Sequence, residues 1–240
     1  MISLKEIEAK SENGEILLKD INVEFIKDSV NLVLGANGAG KTTLAKIILG
    51  DEDIKHTGKV FLGKKDITKE KMYERAKKGI FLAHQSPVEL SGVKVLDFLH
   101  SSYQAIHDKS IDIWEFYDMA SSQIQRVGLD EIFLRRNVNE GLSGGEKKKF
   151  EVFQMLILKP KVAILDEIDS GLDIDSIKNI FEIVVNYQKE RKSTIIIISH
   201  NTDILKYISP AQVILLDNKS VRKKGGEDLA KEILENGYVK

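Results

Sequence analysis

The sequence predicts an α/β fold with a mixed sheet core, an antiparallel β edge and an inserted helical subdomain. Three observations predict it. Residues 162–165 and 194–198 are near-continuous apolar runs that bracket a helical pattern over 174–190. Parallel strands buried on both faces read that way. The first 70 residues are short apolar or alternating runs split by polar turns, which is strand-rich patterning. From residue 86 to 141 the pattern turns helical, with no strong strand in between.

Taken in order, residues 16–18, 21–25 and 30–34 are expected strands, and 42–49 a helix that follows a glycine-rich turn. Residues 60–62, followed by Gly63-Lys64-Lys65-Asp66, predict a hairpin edge. Residues 80–83 predict another buried strand. Residues 95–100, 113–127 and 129–135 are expected helices of the inserted subdomain, 86–141. The rest, 1–85 and 142–240, forms an α/β catalytic core, so that 1–240 is one domain. Residues 144–158 predict a helix with Phe150, Phe153, Met155, Leu156 and Ile157 on one broad face, stopped near Pro160. Residues 213–216 add a late strand and 228–235 a short last helix. Lys147 to Lys149 reads as a solvated helix face.

Composition narrows the function. The 240 residues are 42% hydrophobic, enough for a substantial core. Lys and Arg (36) nearly cancel Asp and Glu (37), so no global charge favours nucleic acid or an acidic membrane. The absence of cysteine excludes disulfides, thiolate catalysis and Cys-held metal in this chain. No apolar run approaches the roughly 18 residues of a membrane span, and the N-terminal residues do not form a signal peptide. A soluble, cytoplasmic protein without direct membrane insertion is expected.

Gly35-Ala36-Asn37-Gly38-Ala39-Gly40-Lys41-Thr42 matches G-x-x-x-x-G-K-[ST] between an expected strand and an expected helix. Small residues let successive N–H groups turn inward around phosphate oxygens. The following helix, which begins near Thr43, presents its N-terminus to the same anion. Lys41 would reach the β- and γ-phosphates, and the Thr42 hydroxyl would meet Mg²⁺. The run 162–165 ends in Asp166 and Glu167. Asp166 is the expected magnesium ligand and Glu167 the general base that deprotonates the attacking water. ATP and Mg²⁺ are the expected ligands.

The order of further segments is more specific. Gln85 follows an apolar strand, then come Leu142-Ser143-Gly144-Gly145-Glu146, Asp166-Glu167, Ser170-Gly171-Leu172-Asp173, and His200 after a strand. The series resembles the nucleotide-binding domain of ABC ATPases over essentially the whole chain. That resemblance implies a P-loop NTPase of the ABC ATPase type. It implies Gln85 near Mg²⁺ or the water, His200 as the switch histidine near the γ-phosphate, and Asp173 at a dimer interface. Ser143, Gly144 and Gly145 would contact the γ-phosphate held by a second copy, giving ATP-dependent homodimerisation. Many members stack adenine on an aromatic of the first strand; here Ala9 stands near that position, so base selection is expected to be loose.

Three segments, residues 84–99, 143–155 and 166–175, resemble the SufC branch, the ATPases of SUF iron–sulfur cluster assembly. Transporter ATPases more often carry Pro and Ala where this chain has Ile168 and Gly171. The SufC pattern itself would place Thr at Ile168 and Arg-Asn at Lys149-Phe150. The resemblance implies docking on a SufB- or SufD-like scaffold through the helical subdomain and the Gln85 loop, with any cluster held by another protein. A membrane ABC transporter subunit is the alternative. A nucleotide sensor without turnover is disfavoured by Glu167.

Overall fold

The computed structural model describes residues 1–85 and 87–237. In β1 (Ile2–Lys10) the buried apolar residues are Ile2, Leu4, Ile7 and Ala9. The spacing slips at Glu6, whose φ is 53°, and this bulge returns Ile7 to the inner face. β2 (Ile16–Glu24) joins the two runs read separately in the sequence; a second bulge at Asp20 (φ 46°) keeps both Leu18 and Ile21 inward. The buried β3 (Val30–Leu34) leads through the glycine-rich loop into α1 (Lys41–Leu49). β4 (Lys55–His56), β5 (Lys59–Leu62) and β6 (Lys65–Asp66) follow, the last two as the expected hairpin. One sheet runs β2-β1-β5-β6, with β4 also on β1.

α2 (Met72–Lys77), which the sequence reading missed, precedes β7 (Ile80–Ala83). Its Arg75 is 1% exposed and donates to the carbonyls of Ile47 and Ile48 at 2.7 and 2.9 Å, and to those of Thr68 and Glu70 at 3.0 Å each. It thereby satisfies the Ile48 carbonyl at the C-terminal end of α1 and adds to the Gly50 N–H on that of Ile47.

Within residues 86–141 the structure corrects the expectation of helix alone. β8 (Leu90–Lys94) and β9 (Asn137–Val138) form a two-stranded ribbon. Leu90-Ser-Gly-Val-Lys94 has too few apolar residues to announce a strand. α3 (Val95–His107) runs about two turns past its expected end, and α4 (Ile113–Ile124) is capped by Asp112. Residues 125–127 and 131–135 are 3₁₀ turns rather than α-helix, separated by Gly128 at φ 67°.

α5 (Gly144–Leu158), β10 (Val162–Asp166), α6 (Ile174–Arg191), β11 (Thr194–Ser199) and β12 (Gln212–Asp217) follow as expected. β13 (Ser220–Gly225), a polar edge strand, was not foreseen, and α7 (Glu227–Asn236) ends the description. The second sheet runs β13-β12-β3-β11-β10-β7, parallel except for β13. Alternation divides its residues between two cores. Val33, Ile164, Ile196, Ile198 and Ile214 face α1 and the antiparallel sheet. Leu32, Leu34, Ala163, Leu165, Ile195 and Ile197 face α5, α6 and the inserted helices. α1 is thus held between two sheets with its N-terminus at the carboxyl ends of the parallel strands.

Candidate nucleotide site

The register places the site. Leu34 pairs with Ser199 and Asp166 with Ile198, so the loops leaving β3, β10 and β11 open on one edge, with that of β7 beside them. Ligands bind at this edge in open α/β sheets. Gly40, the N-cap of α1, has φ 99°, and a Cβ there would lie 2.4 Å from Leu18 Cδ2. A Cβ on Gly35 would lie 2.4 Å from the Leu216 carbonyl oxygen. Side chains are therefore excluded from both ends of the loop, and the backbone is left to face a phosphate.

Lys41 is 5% exposed. Its Nζ donates to the carbonyls of Gly35 (2.9 Å) and Ala36 (3.2 Å) and lies 3.7 Å from Glu167 Oε1. Burial holds its pKa below the usual lysine range. Glu167 is buried and takes φ 52°, a left-handed conformation that a glutamate adopts only under constraint. Its N–H donates to the Ile198 carbonyl at 2.9 Å, and its own carbonyl accepts from Ser170 Oγ at 2.8 Å. Its carboxylate gathers three partners: Lys41, the Gln85 side-chain amide on Oε2, and His200 Nδ1 at 3.2 Å on Oε1. Lys41, Gln85, Glu167 and His200 are far apart in sequence and meet here.

Asp166 is 2% exposed, and its Oδ1 has no hydrogen-bond partner. Burial pushes its carboxyl up, while the Thr42 hydroxyl and then Lys41 oppose the shift. An unsatisfied buried oxygen beside a threonine hydroxyl suits a hard cation. Among the described residues no group of three or more His, Asp or Glu is arranged to hold a metal. A cation here would therefore depend on phosphate oxygens for much of its shell, as Mg²⁺ commonly does.

The cavity at this point, about 340 Å³, is lined by Asn37, Gly38, Gly40, Lys41, Thr42, Thr43, Gln85 and Glu167. Glu15, Leu17 and Lys219 complete it, and sequence reasoning missed all three. Lys219 Nζ pairs with Glu15 at 2.8 Å, and the Lys219 carbonyl accepts from the Lys19 N–H. Ala9 is instead buried, paired with Leu18 and His56, and does not line the cavity. Asp169 was also missed: it is buried, and Ser199 Oγ donates to it at 2.8 Å, which steadies the turn carrying His200.

Ser143, Gly144 and Gly145 do not line the cavity. Ser143 caps α5: its Oγ accepts from the Glu146 N–H at 3.2 Å, and Glu146 accepts from the Ser143 N–H at 2.9 Å. Ser143 and Gly144 are exposed. Asp173 caps α6 by accepting from the Ser176 N–H at 2.8 Å, and the adjacent Ile174 is 72% exposed. The three lysines depart from the expected solvated face, because Lys148 is buried and donates to the Gln85 carbonyl at 3.2 Å.

A glycine-lined anion cradle, a paired Asp-Glu strand end and a capped Ser-Gly-Gly helix start, on this two-sheet frame, define an ATP-binding cassette. The chain belongs to the ABC transporter family, which its residues 18–170 match, and within it the chain stands with the SufC-type ATPases that its three segments resemble. It is 39% identical to the probable ATP-dependent transporter slr0075 of Synechocystis sp., over 99% of this chain and 94% of that protein. It is 37% identical to ABC transporter I family member 6, chloroplastic, of Arabidopsis thaliana, over 95% of this chain and 69% of that one. Among solved structures, the fold matches the dimeric post-hydrolysis state of the cassette MJ0796 bound to ADP and Pi. The TM-score is 0.83 at 18% identity, covering 95% of this chain and 99% of that one.

Proposed function

We propose that the chain binds Mg-ATP, hydrolyses it to ADP and phosphate at a site completed by a second copy, and so reshapes a SufB- or SufD-like scaffold in iron–sulfur cluster assembly. One observation carries the catalytic part: Lys41, Gln85 and His200 converge on the Glu167 carboxylate. Glu167 takes a proton from water as the water oxygen bonds to the γ-phosphorus, and the bond to the β-γ bridging oxygen breaks to release ADP. Gln85 and His200 hold the carboxylate and orient the water. Lys41 trades its two carbonyl partners for phosphate oxygens. Thr42, Asp166 and Gln85 would hold Mg²⁺, which neutralises charge on the β- and γ-phosphates.

The base would rest on Leu17 beside the Glu15–Lys219 pair, without an aromatic platform. Affinity then comes mainly from the phosphates. Ser143, Gly144 and Gly145 of one copy cap the nucleotide of the other. Exposed Val88 (74%) and Trp114 (74%), in and beside the inserted helices, supply apolar surface for a scaffold.

In Glu167→Gln, nucleotide binding is expected to persist while steady-state hydrolysis falls by roughly 10²–10⁴-fold, the scale of a lost general base. Unchanged turnover would remove Glu167 from that role. A second reading, the ATPase subunit of a membrane transporter, draws on the relatives described as ATP-dependent transporters. Affinity purification from native lysate separates the two. Co-elution of a SufB- or SufD-like protein supports the scaffold; a polytopic membrane protein in its place supports transport.

A further inference from the structure

Two buried charges on α5 have no part in the chemistry above. Apart from them and Gln154, the residues that α5 buries are Phe, Val, Met, Leu and Ile. Yet Lys148 is 6% exposed and Glu151 3%. Burial raises the Glu151 carboxyl to about 7 and lowers the Lys148 ammonium. Core packing gives no reason to bury charge at such cost.

Their partners give one. The β7–β10 ladder ends at Ala83, so the backbone of His84 and Gln85 leaves the sheet without a strand partner. Glu151 Oε2 accepts from the His84 N–H at 3.0 Å, and Lys148 Nζ donates to the Gln85 carbonyl at 3.2 Å. Gln154 donates to Glu151 Oε1 at 3.0 Å and fixes its rotamer. The three residues stand at i, i+3 and i+6, on one face of the helix. The same helix starts at the Ser143 cap, five residues and about 7.5 Å of helix rise before Lys148.

We infer that Lys148 and Glu151 are positioning residues that clamp the backbone of His84 and Gln85 to α5. The helix end that meets the second copy's nucleotide and the glutamine that faces this copy's own nucleotide then move as one body. A second copy seated on residues 143–145 would fix α5, and through it the placement of Gln85 on Glu167. The inference rests on the ATPase reading above, but its structural half does not need turnover.

The test uses the full chain as wild type, Glu151→Ala, Glu151→Gln and Lys148→Met. In steady-state hydrolysis, Glu151→Ala is expected to lower kcat by about 10-fold or more, with the KM for ATP changed less than about two-fold. Glu151→Gln keeps an oxygen facing the His84 N–H and should restore most of kcat. Lys148→Met keeps the aliphatic stem, loses the donor and should lower kcat as the alanine does; it carries the test if Glu151→Ala does not fold. Amide exchange without nucleotide should then show residues 80–85 exchanging about 10-fold faster in Glu151→Ala, with the end of α5 still protected. Wild-type kcat in both Glu151→Ala and Lys148→Met, or unchanged exchange, overturns the clamp. So does a Glu151→Gln as impaired as the alanine, because the oxygen acceptor would then be irrelevant. An inactive wild type would instead sink the ATPase reading, and exchange would still decide the clamp.

Discussion

Glu167 and Glu151 are both buried carboxylates, and their surroundings set them apart. Glu167 is met by a lysine, a glutamine and a histidine. Glu151 receives two neutral N–H donors, with Lys148 as its nearby cation, and desolvation dominates, so its carboxyl rises from 4.5 to about 7. The consequence for stability follows from proton linkage. Between pH 4.5 and 7 the folded protein keeps a proton that the unfolded chain has lost, so this group's contribution falls as pH rises through that window and is level above it. The span corresponds to about 3 kcal/mol. Denaturant unfolding of wild type against Glu151→Gln should show the difference changing in favour of the variant from pH 4.5 to pH 8. A difference independent of pH would mean that the carboxyl is not shifted.

Among the elements, α1 is the one whose placement matters most, because its N-terminus forms the proposed phosphate cradle. It has no acidic residue in its first turn and no side-chain N-cap, so its leading N–H groups remain free for an anion. Its other end is fastened by Arg75 of α2, which fills the space beside Gly50: a Cβ on that glycine would lie 2.8 Å from Arg75 Nε. Arg75→Met would leave the carbonyls of Ile47 and Ile48 buried without these donors, costing roughly 3 kcal/mol. Thermal unfolding should shift down by about 10 °C. Nucleotide affinity should weaken as well, because α1 loses its anchor; calorimetric titration with ATP would measure this. A wild-type melting temperature would mean that solvent replaces the arginine at no cost.

At the scale of the whole molecule, the cavity contains the P-loop, Gln85 and Glu167, while Ser143 and Gly144 sit exposed, and Gly145 half-buried, at the start of α5 outside it. In the function proposed above, a second copy brings these sets together. The exposed Ile174, beside Asp173, offers an apolar contact for that union. Glu167→Gln with Mg-ATP should run as a dimer by light scattering and return to monomer when EDTA removes the cation. Ile174→Asp added to it should stay monomeric while still binding nucleotide. A dimer that persists through EDTA would place the driving force outside the nucleotide.

Much of the fold was legible because its signals are local. The runs 162–165 and 194–198 are almost wholly apolar and became adjacent parallel strands; Gly40 and Lys41 are read from a contiguous motif. Gln85, Glu167 and His200 were legible as an ordered series along the chain. Other features carried no local signal. β8 is polar and is defined by its ladder with β9. Lys219 reaches the cavity because the β12–β13 turn docks on β2 through the Lys19–Lys219 bond, and Glu15 and Leu17 reach it because the start of β2 passes beside Gly40. Lys148 looks like its neighbours in a basic run and differs only in what the folded chain places above it. The sequence by itself determined the buried parallel strands and the glycine-rich loop before α1, and it singled out Glu167 as the proposed base, because each depends on residue type and spacing. Tertiary structure alone decided which charges are buried, which backbone groups they hold and which residues wall the nucleotide cavity, because those depend on contacts between segments far apart in the chain.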